Sequence, residues 1–138
     1  MKKVILVLVL FFISLNILLQ SQPANQGLKT SMERGKLVYN RYCLTCHQPD
    51  GGGVPRMNPP LINTEYVLGN KQRLIGIVLK GLNTPLEINE ETYENPMASH
   101  AFLKDQQIAD VLNYVRNSFG NKASIVSPSE VKAVRAKL

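Results

Sequence analysis

The chain lacks several residue types that would define other classes of protein. In 138 residues it has no tryptophan, two cysteines and two histidines. Two cysteines cannot build a disulfide-rich scaffold, which needs several bridges at this length. A hydrophobic fraction of 44% and a charged fraction of 19% are ordinary globular values, so intrinsic disorder and collagen-like repeats are excluded. The length and the lack of internal repeats indicate one domain.

The N-terminus has the pattern of a secretory signal peptide. Lys2 and Lys3 precede an apolar run at residues 4–19, and the sequence then becomes polar. The run is shorter than the roughly 20 residues that span a bilayer comfortably. We therefore expect residues 1–21 to be a signal peptide that exports the protein to the periplasm, with an uncleaved membrane anchor as the alternative.

The remainder, residues 28–138, reads as an all-α domain. Apolar periodicity and capping residues predict the helices, and alternating residues between Leu86 and Tyr93 indicate a small hairpin or an extended loop. A capping box from Ser127 to Glu130 opens a short C-terminal helix. The predicted helices span 32–47, 64–68, the segment between the caps Asn70 and Gly81, 105–118 and about 128–137.

Cys43-Leu44-Thr45-Cys46-His47 is a C-x-x-C-H motif, the attachment sequence of c-type haem. Two thiols can add to the vinyl groups of a porphyrin, and the adjacent imidazole is then held where it ligates iron. A thioredoxin-like motif would follow a strand, whereas a helix precedes this one. A structural zinc site needs four ligands, and only His100 remains among the histidines. A plain disulfide would leave His47 without a role. The motif therefore predicts one haem c, covalently bound through Cys43 and Cys46.

The second axial ligand of the iron has two candidates. Met97 lies in a loop just before the long amphipathic helix, where its thioether can reach the open face of the haem. His100 is the alternative and would give a bis-histidine haem of lower potential. Met57 lies in a Gly/Pro-rich loop and is expected to pack beside the ring. For the other ring nitrogen of His47, we predict the Pro59 carbonyl as hydrogen-bond acceptor, since proline offers a carbonyl on a stiff backbone.

With these residues in place, the chain resembles the class I cytochromes c over residues 35–121. Gly35, Tyr39 and Cys43 match the family's N-terminal helix, and Val111 and Tyr114 match the positions of the C-terminal helix against which it packs. The resemblance implies the cytochrome c fold, in which helices wrap around one covalently attached haem. We expect the apolar wall of the haem site to be drawn from Leu61, Leu79, Phe102 and Leu103, which could equally be plain core residues.

A narrower resemblance covers Lys80-Gly81-Leu82, residues 85–97 and residues 108–121. These stretches are similar to cytochrome subunits that serve periplasmic quinoprotein alcohol or sugar dehydrogenases. The chain departs from that group in having Pro96-Met97 in place of Met-Pro. Lys104 stands where the helix usually has a Ser or Thr cap, so we expect Asp105 to cap instead. Glu90 replaces a turn glycine, which predicts a looser hairpin.

The function that follows is one-electron transfer by an iron cycling between Fe(III) and Fe(II) with His47 and Met97 as axial ligands. The resemblance implies a periplasmic dehydrogenase as electron donor and an oxidase or another cytochrome as acceptor, with no catalytic residues in this chain. A peroxidase-like haem enzyme or a haem sensor, with an open or His100-ligated iron, is the alternative.

The basic charge does not indicate nucleic-acid binding. The formal charge is +6, but Lys2 and Lys3 would leave with the signal peptide and ionised haem propionates would lower the charge further. The charge that is left fits steering of an acidic redox partner.

Overall fold

A computed structural model of the chain describes residues 24–138. The signal peptide predicted at residues 1–21 lies outside this range. The regular secondary structure of the described part is helical apart from a two-stranded hairpin, which confirms the all-α expectation. In chain order the elements are α1 (Ala24–Tyr42), α2 (Leu44–His47), α3 (Glu65–Leu68), α4 (Lys71–Lys80), β1 (Leu86–Ile88), β2 (Glu91–Tyr93), α5 (Asp105–Asn117) and α6 (Pro128–Arg135). No helix between residues 24 and 138 has the length and hydropathy that a membrane crossing requires.

The two longest helices described, α1 and α5, cross where a glycine lets their backbones meet. A Cβ at Gly35 would lie 2.5 Å from the carbonyl carbon of Asp110 and 2.9 Å from Tyr114 Cβ, which is closer than such atoms approach. The Tyr39 ring fills the space beside the crossing, with its centroid 5.3 Å from that of Tyr114 and 5.5 Å from that of Phe119. The predicted packing of Gly35 and Tyr39 on the C-terminal helix is confirmed.

Buried polar side chains fasten this crossing to the C-terminal segment. Asp110 accepts hydrogen bonds from Ser31 Oγ at 2.6 Å and from Arg34 Nε at 2.7 Å. One turn further along α5, the Asn113 side chain donates to the Val126 carbonyl at 3.0 Å and accepts from the Val126 N–H at 2.7 Å. Buried polar groups must be paired to avoid a desolvation cost. These pairs therefore fix α1, α5 and residue 126 relative to one another.

The first helix differs from the predicted range 32–47. It already includes Ala24, the first described residue, because the polar residues before position 32 form a helix without showing apolar periodicity. It ends at Tyr42, and Cys43 has φ −116° and ψ −32° between α1 and α2. Helical hydrogen bonding resumes when the His47 N–H donates to the Cys43 carbonyl at 2.9 Å. The C-x-x-C-H motif thus occupies its own helical turn.

Helices α3 and α4 begin where the sequence predicts. Thr64 Oγ1 accepts from the Val67 N–H at 3.2 Å, and Asn70 Oδ1 accepts from the Arg73 N–H at 2.9 Å. Gly81, with φ 77°, ends α4. The apolar faces of these helices join those of α1, α5 and α6 in one core, which contains Val38, Tyr39, Val67, Leu74, Ile75, Val78, Leu79, Leu103, Ile108, Ala109, Val111, Leu112, Val115, Val126 and Val131.

The segment between α4 and α5 contains the hairpin. Strands β1 and β2 are antiparallel, with Leu86 opposite Tyr93. The two turn residues, Asn89 and Glu90, have φ of 53° and 66°. Positive φ at both positions is the type I′ geometry that suits a two-residue hairpin loop.

The N-terminus of α5 corrects one expectation. Lys104 occupies the N-cap position, and its N–H donates to Gln107 Oε1 at 3.0 Å. Asp105 does not cap the helix, because it lies inside the first turn and pairs with Arg135 Nε at 2.8 Å. A lysine side chain has no acceptor. Gln107, the third residue of α5, therefore provides the side-chain hydrogen bond at this end of the helix.

The C-terminal helix opens on the predicted capping box. Ser127 Oγ accepts from the Glu130 N–H at 3.2 Å, and a Glu130 carboxylate oxygen accepts from the Ser127 N–H at 2.8 Å. Helix α6 ends at Arg135, two residues before the predicted end.

Candidate functional site

The site begins at the turn between α1 and α2, where both cysteines are free thiols. Cys43 is half-buried and Cys46 is exposed. Burial, with a smaller contribution from neighbouring Cys46, raises the pKa of the Cys43 thiol to about 11. Both thiols lie on a short helical turn directly before His47, so one rigid element presents all three groups.

His47 is buried and its ring is oriented by one hydrogen bond. Its Nδ1 lies 3.0 Å from the Pro59 carbonyl oxygen, and because a carbonyl only accepts, Nδ1 carries the proton. Burial lowers the pKa of the His47 imidazole, and the charge of nearby His100 lowers this pKa further. The hydrogen bond to Pro59 acts in the opposite direction and raises it. A neutral ring with a protonated Nδ1 leaves the Nε2 lone pair for a metal ion.

The loop between α2 and α3 brings the Pro59 carbonyl to His47. Gly53 has φ 69°, and its N–H donates to the His47 carbonyl at 3.1 Å. A Cβ at Gly53 would lie 2.7 Å from the Pro59 oxygen. Gly51, with φ 74°, lies against Phe119, where a Cβ would be 2.7 Å from the ring. These glycines were not among the residues predicted for the site, although the Gly51-Gly52-Gly53 run was the signal that could have identified them.

Met97 lies on a segment that is fixed to the end of α4. Its N–H donates to the Leu82 carbonyl at 2.8 Å, and its carbonyl accepts from the Leu82 N–H at 2.9 Å. Gly81 passes beneath this pair, where a Cβ would lie 2.9 Å from Ser99 N. The Met97 side chain is partly buried against the core. Met57, in contrast, is 49% exposed.

His100 carries a buried nitrogen without a partner. Among the described residues, its Nδ1 is a buried side-chain atom for which no hydrogen bond is formed. The ring contacts those of Tyr42 and Phe102, with centroids 6.4 Å and 5.8 Å away. Its main-chain N–H donates to the Val78 carbonyl at 2.9 Å. His100 therefore remains available as an alternative ligand.

The apolar residues expected beside a haem differ in burial. Leu79 and Leu103 are buried and Leu61 is partly buried against the core. Phe102 is 65% exposed and packs edge-on against Tyr42, with 5.3 Å between ring centroids. The place of Phe102 in the haem wall stays a prediction. Its neighbour Tyr42 was not among the residues predicted for the site.

These residues form a donor set that fits a covalently attached haem. Two free thiols are available for thioether bonds, and a neutral imidazole offers one nitrogen. On the segment at residues 97–100 lie a partly buried thioether and an unpartnered buried imidazole nitrogen. Thioether and imidazole are both ordinary axial ligands of haem iron.

Comparison with known proteins agrees with this chemistry. A family model described as Cytochrome c matches residues 32–119. The chain is 34% identical over 120 residues to cytochrome c-552 of Thermus thermophilus, with 80% of each chain covered. It is 38% identical over 109 residues to the cytochrome c subunit of the quinone alcohol dehydrogenase of Gluconacetobacter polyoxogenes, covering 77% of this chain and 23% of that subunit.

A third relative has a similar length relationship. The cytochrome subunit of fructose dehydrogenase from Gluconobacter japonicus is 34% identical over 120 residues, which cover 84% of this chain and 24% of that subunit. The chain therefore spans about a quarter of the dehydrogenase subunits it matches, but most of the length of the cytochrome c-552.

Proposed function

The chain belongs to the cytochrome c family and binds one haem c, and on this basis we propose that it carries single electrons in a periplasmic respiratory or dehydrogenase-linked chain. The observation that best supports the proposal is the His47–Pro59 pair, 3.0 Å between Nδ1 and oxygen. That pair fixes the tautomer and orientation of an imidazole whose remaining nitrogen can ligate iron. When bound, haem c supplies an iron that exchanges one electron between ferric and ferrous states.

The residues of the chain have distinct proposed roles in this function. Cys43 and Cys46 hold the haem covalently, His47 is the first axial ligand, and Met97 is the second. The Pro59 carbonyl keeps the His47 ring in place. His47 and Met97 would both hold the iron, so neither side chain would need to leave when the iron gains or loses an electron. The fold then works as a rigid holder, and the axial ligands, burial and hydrogen bonds tune the potential.

Met97 is proposed over His100 because of how the two residues are held. Met97 is fixed on both sides of its main chain by Leu82 and packs partly against the core. The His100 ring instead packs with the rings of Tyr42 and Phe102, and Phe102 is exposed. The unpartnered His100 Nδ1 supports the alternative of a bis-histidine haem or of an enzyme with acid–base chemistry beside the iron.

Three single variants of the haem-loaded protein test the ligand assignment. We expect Met97→Ala to abolish the methionine–iron charge-transfer band of the ferric protein and to lower the reduction potential, because methionine raises it. His100→Ala and the exposed-residue control Met57→Ala should keep the band. A band that survives Met97→Ala would contradict the assignment. Rapid binding of carbon monoxide by the native ferrous protein would favour the enzyme alternative, since both iron positions should be filled.

The partners and the compartment are proposed from the sequence and the relatives. Relatives named as cytochrome subunits of alcohol and fructose dehydrogenases suggest a dehydrogenase as electron donor. An oxidase or another cytochrome would accept the electron. We place the protein in the periplasm, exported by residues 1–21 or anchored through them. The mass of the mature protein from membrane-free and membrane fractions distinguishes these two cases.

A further inference from the structure

We propose that Arg135 is a positioning residue for Met97, holding the far end of the segment that carries this ligand. Arg135 ends α6, outside the residues 32–119 that match the family model. The inference rests on the proposed ligation of the iron by Met97. It assigns a role in the haem site to the C-terminal helix.

The contacts of Arg135 converge on the residues between Met97 and α5. Its Nη1 donates to the Ala101 carbonyl and its Nη2 to the Leu103 carbonyl, both at 2.8 Å. Its Nε donates to Asp105 Oδ1, also at 2.8 Å. A guanidinium offers donors in a fixed planar arrangement, so one side chain can hold several acceptors at once. Lysine, with a single ammonium, cannot reproduce this set.

The near end of the segment is held by α4 through different bonds. Met97 exchanges two main-chain hydrogen bonds with Leu82. Ser99 Oγ donates to the Leu79 carbonyl at 2.5 Å, and the His100 N–H donates to the Val78 carbonyl at 2.9 Å. The segment from Met97 to α5 is therefore held to the end of α4 and to Leu82 at its start, and to Arg135 on α6 at its end.

Besides Arg135, the end nearer to α5 is held by the buried Leu103 side chain, by the bond from the Leu103 N–H to the His100 carbonyl at 3.0 Å and by the packing of Phe102 on Tyr42. Ala101 and Phe102 are exposed, and Leu103 is the buried residue of the three. Of these three residues, only Leu103 is held by burial of its side chain. The carbonyls of Ala101 and Leu103 accept their side-chain hydrogen bonds from Arg135. Loss of the Arg135 bonds should let residues 101–103 open more often, because fewer contacts then hold them between α4 and α5.

Helix α6 is itself firmly seated, so it can serve as the anchor. Val131 is fully buried in the core, and the capping box of Ser127 and Glu130 fixes the first turn. Glu130 also forms an ion pair with Lys71 on α4. Arg135 and Glu130 lie at opposite ends of α6, which provides a matched control: a variant at Glu130 loosens the same helix without touching the segment at 101–103.

The test measures how easily an added ligand displaces Met97. Imidazole binds the ferric haem-loaded protein only when the Met97 position is vacated, so its apparent affinity is proportional to the population of the open form. We expect Arg135→Gln to increase the affinity about tenfold, which corresponds to about 1.4 kcal/mol. Arg135→Lys keeps the charge and should give a smaller increase. Glu130→Ala should change the affinity less than about twofold while lowering the thermal midpoint, because the segment keeps its anchor.

The outcomes separate this inference from the ligand proposal. Stronger imidazole binding in Arg135→Gln than in Glu130→Ala supports a positioning role for Arg135. Equal affinities in wild type and Arg135→Gln, or equal increases in both variants, overturn it. If Met97→Ala keeps the charge-transfer band, the ligand proposal fails and the Arg135 inference fails with it. If Met97→Ala loses the band and Arg135→Gln binds imidazole like wild type, only the Arg135 inference fails.

Discussion

Gly53 determines where the Pro59 carbonyl lies relative to His47. Its φ of 69° is in the left-handed region, which a residue with a Cβ adopts only at a cost. Its missing side chain also leaves the space through which the main chain at Pro59 passes. The single acceptor for His47 Nδ1 thus depends on a residue that itself makes only main-chain contacts to the site.

We expect Gly53→Ala to lower the free energy of unfolding by about 2 kcal/mol or more, from the strained φ and the steric conflict together. Gly76→Ala is the matched control, because Gly76 lies within α4 with no atom within 4 Å of its added Cβ. That variant should be neutral or stabilised by up to about 1 kcal/mol, since alanine is the better helix former. Denaturant unfolding of the haem-loaded protein measures both. Equal effects at the two glycines would contradict the role of Gly53.

At the scale of an element, the hairpin combines a favourable register with an unfavourable turn residue. Ile88 and Tyr93 are buried, so the alternation of the strands fixes which face packs inward. The type I′ turn requires positive φ at both central residues. Asn89 tolerates this conformation, whereas Glu90 has a side chain that disfavours it. The loosening predicted from the missing glycine therefore takes the form of local backbone strain within a formed hairpin.

Replacing Glu90 by glycine should relieve this strain. We expect Glu90→Gly to raise the free energy of unfolding by about 0.5–1 kcal/mol, since the strain exceeds the entropy that glycine adds to the unfolded chain. Glu87→Gly, at an exposed position within β1, should lower it by about 0.5–1 kcal/mol. Thermal unfolding of the two variants and the wild type shows whether each substitution raises or lowers the stability. A loss of stability in Glu90→Gly would show that the turn is not strained.

At the scale of the whole molecule, charged side chains fasten the C-terminal segment to the helices before it. Arg116, fully buried in α5, donates to the Ser124 carbonyl at 3.0 Å and to the Val67 carbonyl. Lys71 pairs with Glu130, and Arg135 pairs with Asp105. The segment after α5 is thus part of the fold, and its attachment depends in part on ionised groups.

The pair at Glu130 predicts a pH dependence of stability. Burial alone would raise the pKa of the Glu130 carboxyl, but the hydrogen bonds from Lys71 and Ser127 outweigh this and lower it. A group with a lowered folded-state pKa stabilises the fold above its unfolded pKa, about 4.3 for glutamate, and this contribution is lost as the pH falls through the folded-state pKa.

We therefore expect Glu130→Gln to lower the free energy of unfolding by about 0.5–1 kcal/mol at neutral pH, given that the pair is partly exposed. The difference from wild type should shrink below about pH 4, where the wild-type carboxyl loses its charge. Glu65→Gln is the control, since Glu65 pairs with Arg73 but its side chain is 81% exposed, and it should change stability little at either pH. A difference for Glu130→Gln that stays constant down to about pH 3 would contradict the linkage.

The sequence predicted the features that depend on neighbouring residues. The caps at Asn70 and Ser127 and the apolar face of α5 are local patterns, and the structure contains them. The C-x-x-C-H motif located the site because its two thiols and its imidazole lie within five consecutive residues. The hydrogen bond between His47 and Pro59 is present too, since a short loop leaves few acceptors within reach.

The features that the sequence could not predict join distant residues. Arg135 donates to main-chain carbonyls 32 and 34 positions earlier in the chain. Every residue has such a carbonyl, so the amino-acid sequence does not indicate which one is bonded. The packing of Phe102 against Tyr42 joins the segment before α5 to the end of α1. The part of α1 before residue 32 lacks an apolar signal, because most of its described side chains are exposed. Each of these features follows from tertiary packing.

The crossing of α1 and α5 also bears on the order of events while the protein is made. Ser31 and Asp110 meet across 79 positions of sequence, so this contact cannot form until α5 has been synthesised. The turn with Cys43 and Cys46 emerges much earlier and stays accessible on the open chain. Once the fold closes, Cys43 is half-buried with its thiol pKa raised to about 11, which leaves little reactive thiolate. Closure of the helices thus leaves Cys46 exposed but makes Cys43 the less accessible of the two attachment points.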